Sequence, residues 1–195
     1  MKKWLPLIIV VVIVFLGYNK IKGFNNEAVI YQEDAKTNWS NVESSYQRRA
    51  DLIPNLVNTV KGYAAHESET LEAVIKARSE ATSTKIDASN LTPEKMAQFQ
   101  QAQQGLSGAL GRLMVIAEKY PELKANTNFL ELQSQLEGTE NRINVERNRF
   151  NGLVGVYNKH IKVFPNSIFA GWFGFEEMSR FKAVEGSEKA PDVQF

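Results

Sequence analysis

The sequence predicts an all-α protein, with an N-terminal transmembrane helix followed by an antiparallel four-helix bundle of long helices. Three observations carry that reading. A run of sixteen residues without charge, Trp4 to Asn19, sits between Lys2-Lys3 and Lys20/Lys22. Apolar residues through the rest of the chain recur at steps of three and four, the period of an amphipathic helix. Pro54, Pro93, Pro121 and Pro165 fall where that rhythm starts or stops, as expected of a residue that lacks a backbone donor.

Residues 1–23 are expected to form the membrane anchor. The run is shorter than the ~20 residues that usually cross the hydrocarbon core, but Lys20 and Lys22 can reach back to the headgroups along their methylene stems. Trp4 and Tyr18 bracket it as interface aromatics, ~21 Å apart along a helix. A cleaved signal peptide has similar flanks, yet Gly17-Tyr18-Asn19-Lys20 lacks the small residues that cleavage requires. The expectation is therefore a single-pass membrane protein. Basic residues nearly balance across the span, so the Lys2-Lys3 start alone favours an exported body, in the periplasm or another extracytoplasmic space.

Residues 24–164 are expected to form the bundle. The first helix, from about Asn26 to Ala50, carries Ala28, Tyr31, Ala35, Trp39, Val42 and Tyr46 on one face and is able to continue directly from the span. Pro54 is expected to end or kink it and to start a second helix bearing Val57, Val60, Ala64, Leu71 and Val74. The polar stretch from Ala81 to Asn90 reads as a loop. Thr92 and Pro93 then give an N-cap and a first-turn proline to a third helix, whose seam runs Met96, Phe99, Gln103, Leu106, Leu110, Leu113, Ala117 and Tyr120 in coiled-coil fashion. After Pro121, Asn128 with Glu131 suggests the cap of a fourth helix reaching to Pro165.

Composition narrows the partners. Setting aside Lys2, Lys3, Lys20 and Lys22, 19 basic residues face 22 acidic ones, and no basic stripe exists to bind nucleic acid. Absence of cysteine removes disulfides, thiolate metal sites and cysteine nucleophiles. Neither histidine stands in a Glu-x-x-His or His-Glu-x-x-His setting, and His66 reads as a surface helix residue near Glu69. No catalytic residue, metal, cofactor or small-molecule substrate is expected, and the chain does not read as an enzyme.

Interaction surfaces are more evident. Clusters at Arg48, Arg49 and Asp51 and at Glu140, Arg142, Glu146, Arg147 and Arg149 carry both signs, and pairing across the bundle fits them better than an anionic ligand does. Gly105, Gly108 and Gly111 form a stripe whose helical cost calls for close approach, by a neighbouring helix or by a second subunit. In the tail, residues 165–195, Phe169, Trp172, Phe173 and Phe175 lie within seven positions. They can fold onto the bundle, meet another subunit or enter the membrane interface. The terminal Pro191-Asp-Val-Gln-Phe195 is expected to be extended and able to add an edge contact.

Arg48-Arg-Ala-Asp-Leu-Ile-Pro-Asn55 with Tyr63, His66-Glu67, Ala77-Arg78, Tyr120-Pro-Glu-Leu-Lys-Ala125 and Glu140-Asn-Arg-Ile143 resemble the LemA family in order and spacing, from about Asn25 to the C-terminus. The resemblance implies a bacterial membrane protein with an N-terminal anchor and an antiparallel helical bundle, and implies no activity. The expected role is a structural or self-assembling scaffold at the bacterial membrane. The alternative is an adaptor that binds an envelope protease, stress or signalling protein. Membrane lipid and either a second copy or another envelope protein are the expected partners.

Overall fold

A computed structural model describes residues 4–182, and every regular element among them is helical. The elements are α1 Leu5–Lys61, α2 Ser68–Ser83, α3 Pro93–Ala117, α4 Pro121–Lys124, α5 Thr127–Lys162 and α6 Asn166–Phe173. The anticipated edge contact of residues 191–195 lies outside the described residues.

α1 is one uninterrupted helix of 57 residues, about 85 Å long at 1.5 Å per residue. Between Leu7 and Lys20 every side chain is exposed, and Phe24 is the first that the rest of the chain covers. This helix begins with a stretch long and apolar enough to cross a membrane. It then enters the folded body without a joint.

The expected break at Pro54 does not occur. Proline leaves the carbonyl four residues earlier without its helical donor, and that carbonyl, on Ala50, accepts instead from Arg78 Nε of α2 at 2.8 Å. A neighbouring element thus supplies the lost bond, and the helix runs on to Lys61. The turn falls at residues 62–67, so Val57 and Val60 belong to α1 while Leu71 and Val74 belong to α2. His66 is exposed in that turn and not on a helix.

The other boundaries follow local chemistry. Thr92, in extended backbone, accepts from the Lys95 amide and starts α3 as expected. α5 starts two residues before the predicted pair: Asn126 accepts from the Phe129 amide at 3.0 Å, which makes Asn128 a first-turn residue. Asn126 holds extended backbone (φ −72°, ψ 125°), the conformation an N-cap needs to reach the donor three residues on.

α1 packs along α5 and α2, and α2 packs on α3. Residue numbers rise on α1 as they fall on α5: Phe24 stacks on His160 at 5.1 Å, Trp39 meets Phe150 at 5.3 Å, and Arg49 pairs with Glu140 at 2.8 Å. Apolar burial falls into two blocks. One, around Trp39, Phe99, Phe150 and Phe181, lies nearer the apolar start of α1. The other, around Ile53, Leu56, Leu106, Leu113 and Leu123, lies further from it.

After α6 the chain reverses at Gly174, whose φ of 71° is a left-handed conformation that suits glycine. Residues 175–182 then run extended along α5. Asn158 exchanges two hydrogen bonds with the Met178 backbone, and Asn151 exchanges two with the Phe181 backbone. Seven residues of helix advance ~10.5 Å and three of extended chain advance ~10 Å, so the two ladders match in step.

Candidate functional site

Three helices interrupt their buried stripes at one shared height. α1 contributes Arg49 between Tyr46 and Ile53, α3 contributes Gln103 between Phe99 and Leu106, and α5 contributes Thr139 and Glu140 between Leu136 and Ile143. The result is a polar layer separating the two apolar blocks.

Arg49, only 3% exposed, organises this layer. Its guanidinium donates to Glu140 Oε2 at 2.8 Å, Gln103 Oε1 at 2.8 Å and Ser107 Oγ at 3.0 Å, and lies 5.2 Å from the centre of the Tyr46 ring. Gln103 in turn donates to the Ala81 carbonyl of α2 at 3.1 Å, so Arg49 and Gln103 together link four helices. Burial raises the Tyr46 hydroxyl above its ordinary pKa, against the pull of Arg147 and Arg49. One level nearer the span, Asn38 donates to the buried Glu146 at 3.1 Å, and Arg142 lies 3.6 Å from the other carboxylate oxygen.

These geometries unite the two charged clusters picked out from sequence. Arg49 of the first meets Glu140 of the second. Glu140, Gln103 and Ser107 occupy the two terminal nitrogens of Arg49, while its buried Nε has no partner; an anion at the terminal nitrogens would have to displace those groups. Beside it opens a cleft of about 480 Å³ lined by Glu43, Tyr46, Gln47, Asp51, Lys85 and Gln103. Burial holds the Glu43 carboxyl above the usual carboxylate range, with the Trp39 indole and Lys85 opposing. Among the described residues no group of three or more His, Cys, Asp or Glu side chains converges as a metal site.

The remaining residues named from sequence separate clearly. Trp4, the residue before α1, and Tyr18, Lys20 and Lys22 on its first part all stand exposed. Gly105, Gly108 and Gly111 face outward, and a Cβ built on any of them meets nothing within 4 Å. Close approach of a helix within this chain therefore does not explain the stripe. The aromatic tail divides: Phe169 and Phe175 pack against the core, whereas Trp172 and Phe173 stand exposed.

Sequence reasoning missed the layer's glutamine, because Gln103 keeps the apolar rhythm and was read as one more seam position. It also missed the backbone-pairing role of Asn151 and Asn158. Their spacing of seven on the apolar side of α5 is the signal that could have found them. His160 stacks on Phe24 and meets Tyr31 edge-on at 5.2 Å, closing the end of the body nearest the span.

Comparison with known proteins supplies the lineage. The model of the LemA family matches residues 38–195. The chain belongs to the LemA family. All of the Arg49 layer and the aromatic segment fall within the matched LemA region, whereas the apolar start of α1 precedes it. This LemA-family chain is 29% identical to magnetosome protein MamQ of Magnetospirillum gryphiswaldense, over 80% of its own length and 64% of that protein's. It is 28% identical to magnetosome protein MamQ 1 of Paramagnetospirillum magneticum, with the same two coverages. Protein LemA of Metamycoplasma hominis is 21% identical over 94% of this chain and 80% of its own length. The chain thus spans about two-thirds of the length of the MamQ proteins that it matches, at 64%.

Proposed function

We propose that this protein is a membrane-tethered, antiparallel four-helix bundle acting as a non-enzymatic scaffold at the bacterial membrane, with its body exported and assembled with further copies. The observation that carries the reading is the continuity of α1, whose exposed apolar start and buried bundle face belong to one helix of 57 residues. A body joined to its span in this way stands at a fixed height and orientation, which suits a repeated contact between neighbours. The open face of α3 bearing Gly105, Gly108 and Gly111 fits such a contact, since small residues let a second backbone approach closely.

A second reading, an adaptor for an envelope protease, stress or signalling protein, draws support from the cleft beside the polar layer. It presents Glu43 and Asp51 together with Arg48 and Lys85, both signs of charge on one concave surface. Light scattering of the full-length protein after size-exclusion in mild detergent separates the readings. The scaffold requires a defined multimer that Gly108→Leu disperses. A monomer at every concentration leaves the adaptor reading standing instead.

A further inference from the structure

We propose that α6 is an interfacial helix, its outer face lying in the headgroup and upper acyl region of the bilayer that the start of α1 crosses. This rests on the membrane-tether reading above.

Height comes first. Phe24 lies under α6 and the turn after it, with ring centres 5.7 Å from Phe169, 6.4 Å from Phe173 and 5.8 Å from Phe175. Tyr18 and Lys20, expected at the edge of the hydrocarbon, precede Phe24 by only ~6–9 Å of helix, comparable with the ~5–7 Å of one headgroup layer. α5 reaches the level of Phe24 at His160, and Lys162, Val163 and Phe164 continue past it toward the bilayer.

The exposed chemistry is second. Within α6, Ile168 and the 71% exposed Trp172 fall four apart and so share one side, and Phe164, in the turn before the helix, is 81% exposed. Phe173 adds to it, and Val163 precedes it. The inward residues Phe169 and Ala170 are sealed on the core block that contains Phe24. All eight residues of α6 are uncharged. Elsewhere on the body, exposed large apolar residues such as Ile75, Val115 and Val145 stand apart on different helices or turns of helix. Here they form a patch continuous in height with the apolar start of α1. Tryptophan and phenylalanine on a short uncharged helix suit the boundary between headgroups and acyl chains, and Lys20 and Lys22 are exposed around that level to meet lipid phosphates, while Lys162 pairs with Glu177 at 2.6 Å.

Lipid suits this face better than a second copy does, because any protein seated there must also occupy the headgroup layer. The absence of cysteine makes the test direct. Single substitutions Phe164→Cys, Trp172→Cys, Phe15→Cys and Val115→Cys in the full chain take a nitroxide label. Each variant is reconstituted into vesicles of phosphatidylcholine and phosphatidylglycerol, and collision with oxygen is compared with collision with a water-soluble nickel chelate. Positions 164 and 172 are expected to show an oxygen preference several-fold above position 115 and below position 15. Nickel accessibility at 164 and 172 equal to that at 115, with position 15 in lipid, overturns the inference while leaving the tether intact. Shielding from both reagents, with line broadening that disappears on dilution with unlabelled chain, overturns it in favour of a second copy. If position 15 itself is open to nickel, the tether reading fails and takes the inference with it.

Discussion

At the residue scale, Pro54 and Arg78 act as one unit: the proline frees the Ala50 carbonyl, and the arginine of α2 takes it at 2.8 Å. Arg78→Ala should therefore cost about 1–2 kcal/mol of unfolding free energy, the loss of a charge-assisted bond to a half-buried carbonyl. In a Pro54→Ala background the amide of residue 54 can satisfy Ala50 itself, so the same substitution should cost distinctly less. A double-mutant cycle by denaturant titration measures the difference, and equal costs in both backgrounds would show that the two residues are independent. Glu43 offers a pH test. Its folded pKa is raised chiefly by burial, so the folded state binds its proton more readily than the unfolded state does. The penalty is present above the folded pKa and is relieved as pH falls through it. Glu43→Gln should accordingly raise the melting temperature near pH 7.5 and lose that advantage near pH 4. Arg49→Met leaves Gln103 and Ser107 without their donor, and it should cost about 2–4 kcal/mol, moderated because Glu140 is half exposed and can turn to water.

At the scale of elements, the helices were readable where one residue decides a boundary and unreadable where a partner does. Thr92 caps α3 by a contact three residues away, so its sequence neighbours suffice. Pro54 breaks a helix by every local rule, yet Arg78, in another element, repairs it, and nothing within a few residues of the proline reports this. The tail was legible only in part for the same reason. Its aromatic density signalled burial, but the extended course of residues 175–182 depends on side-chain amides of α5. Replacing Asn151 and Asn158 together with alanine should release this segment. Hydrogen exchange at the Met178 and Phe181 amides should accelerate strongly while exchange in α3 changes little; unchanged protection would mean that Phe181 packing alone holds the segment. The split within the aromatics gives a companion test. Phe181→Ala, in contact with Trp39, Phe99 and Phe150, should cost ~3–5 kcal/mol, whereas Trp172→Ala should leave the melting temperature nearly unchanged.

For the whole molecule, the apolar start and the helical rhythm were both explicit in sequence, and so was the pairing of two charged clusters. What was hidden was how far that helix runs: its direct continuation from the apolar start was anticipated, whereas the stop expected at Pro54 divided the rhythm in the wrong place. That continuity has a mechanical side. In the proposed membrane-tethered arrangement, with no hinge between Tyr18 and Lys61, any tilt of the span in its bilayer is passed undiminished to the distal end, about 65 Å away at 1.5 Å per residue. A tilt change of about 10°, well inside the range that spans adopt as bilayer thickness varies, swings that end sideways by roughly 11 Å. In that arrangement the protein is a lever, turning small changes in lipid thickness into a displacement as wide as a helix.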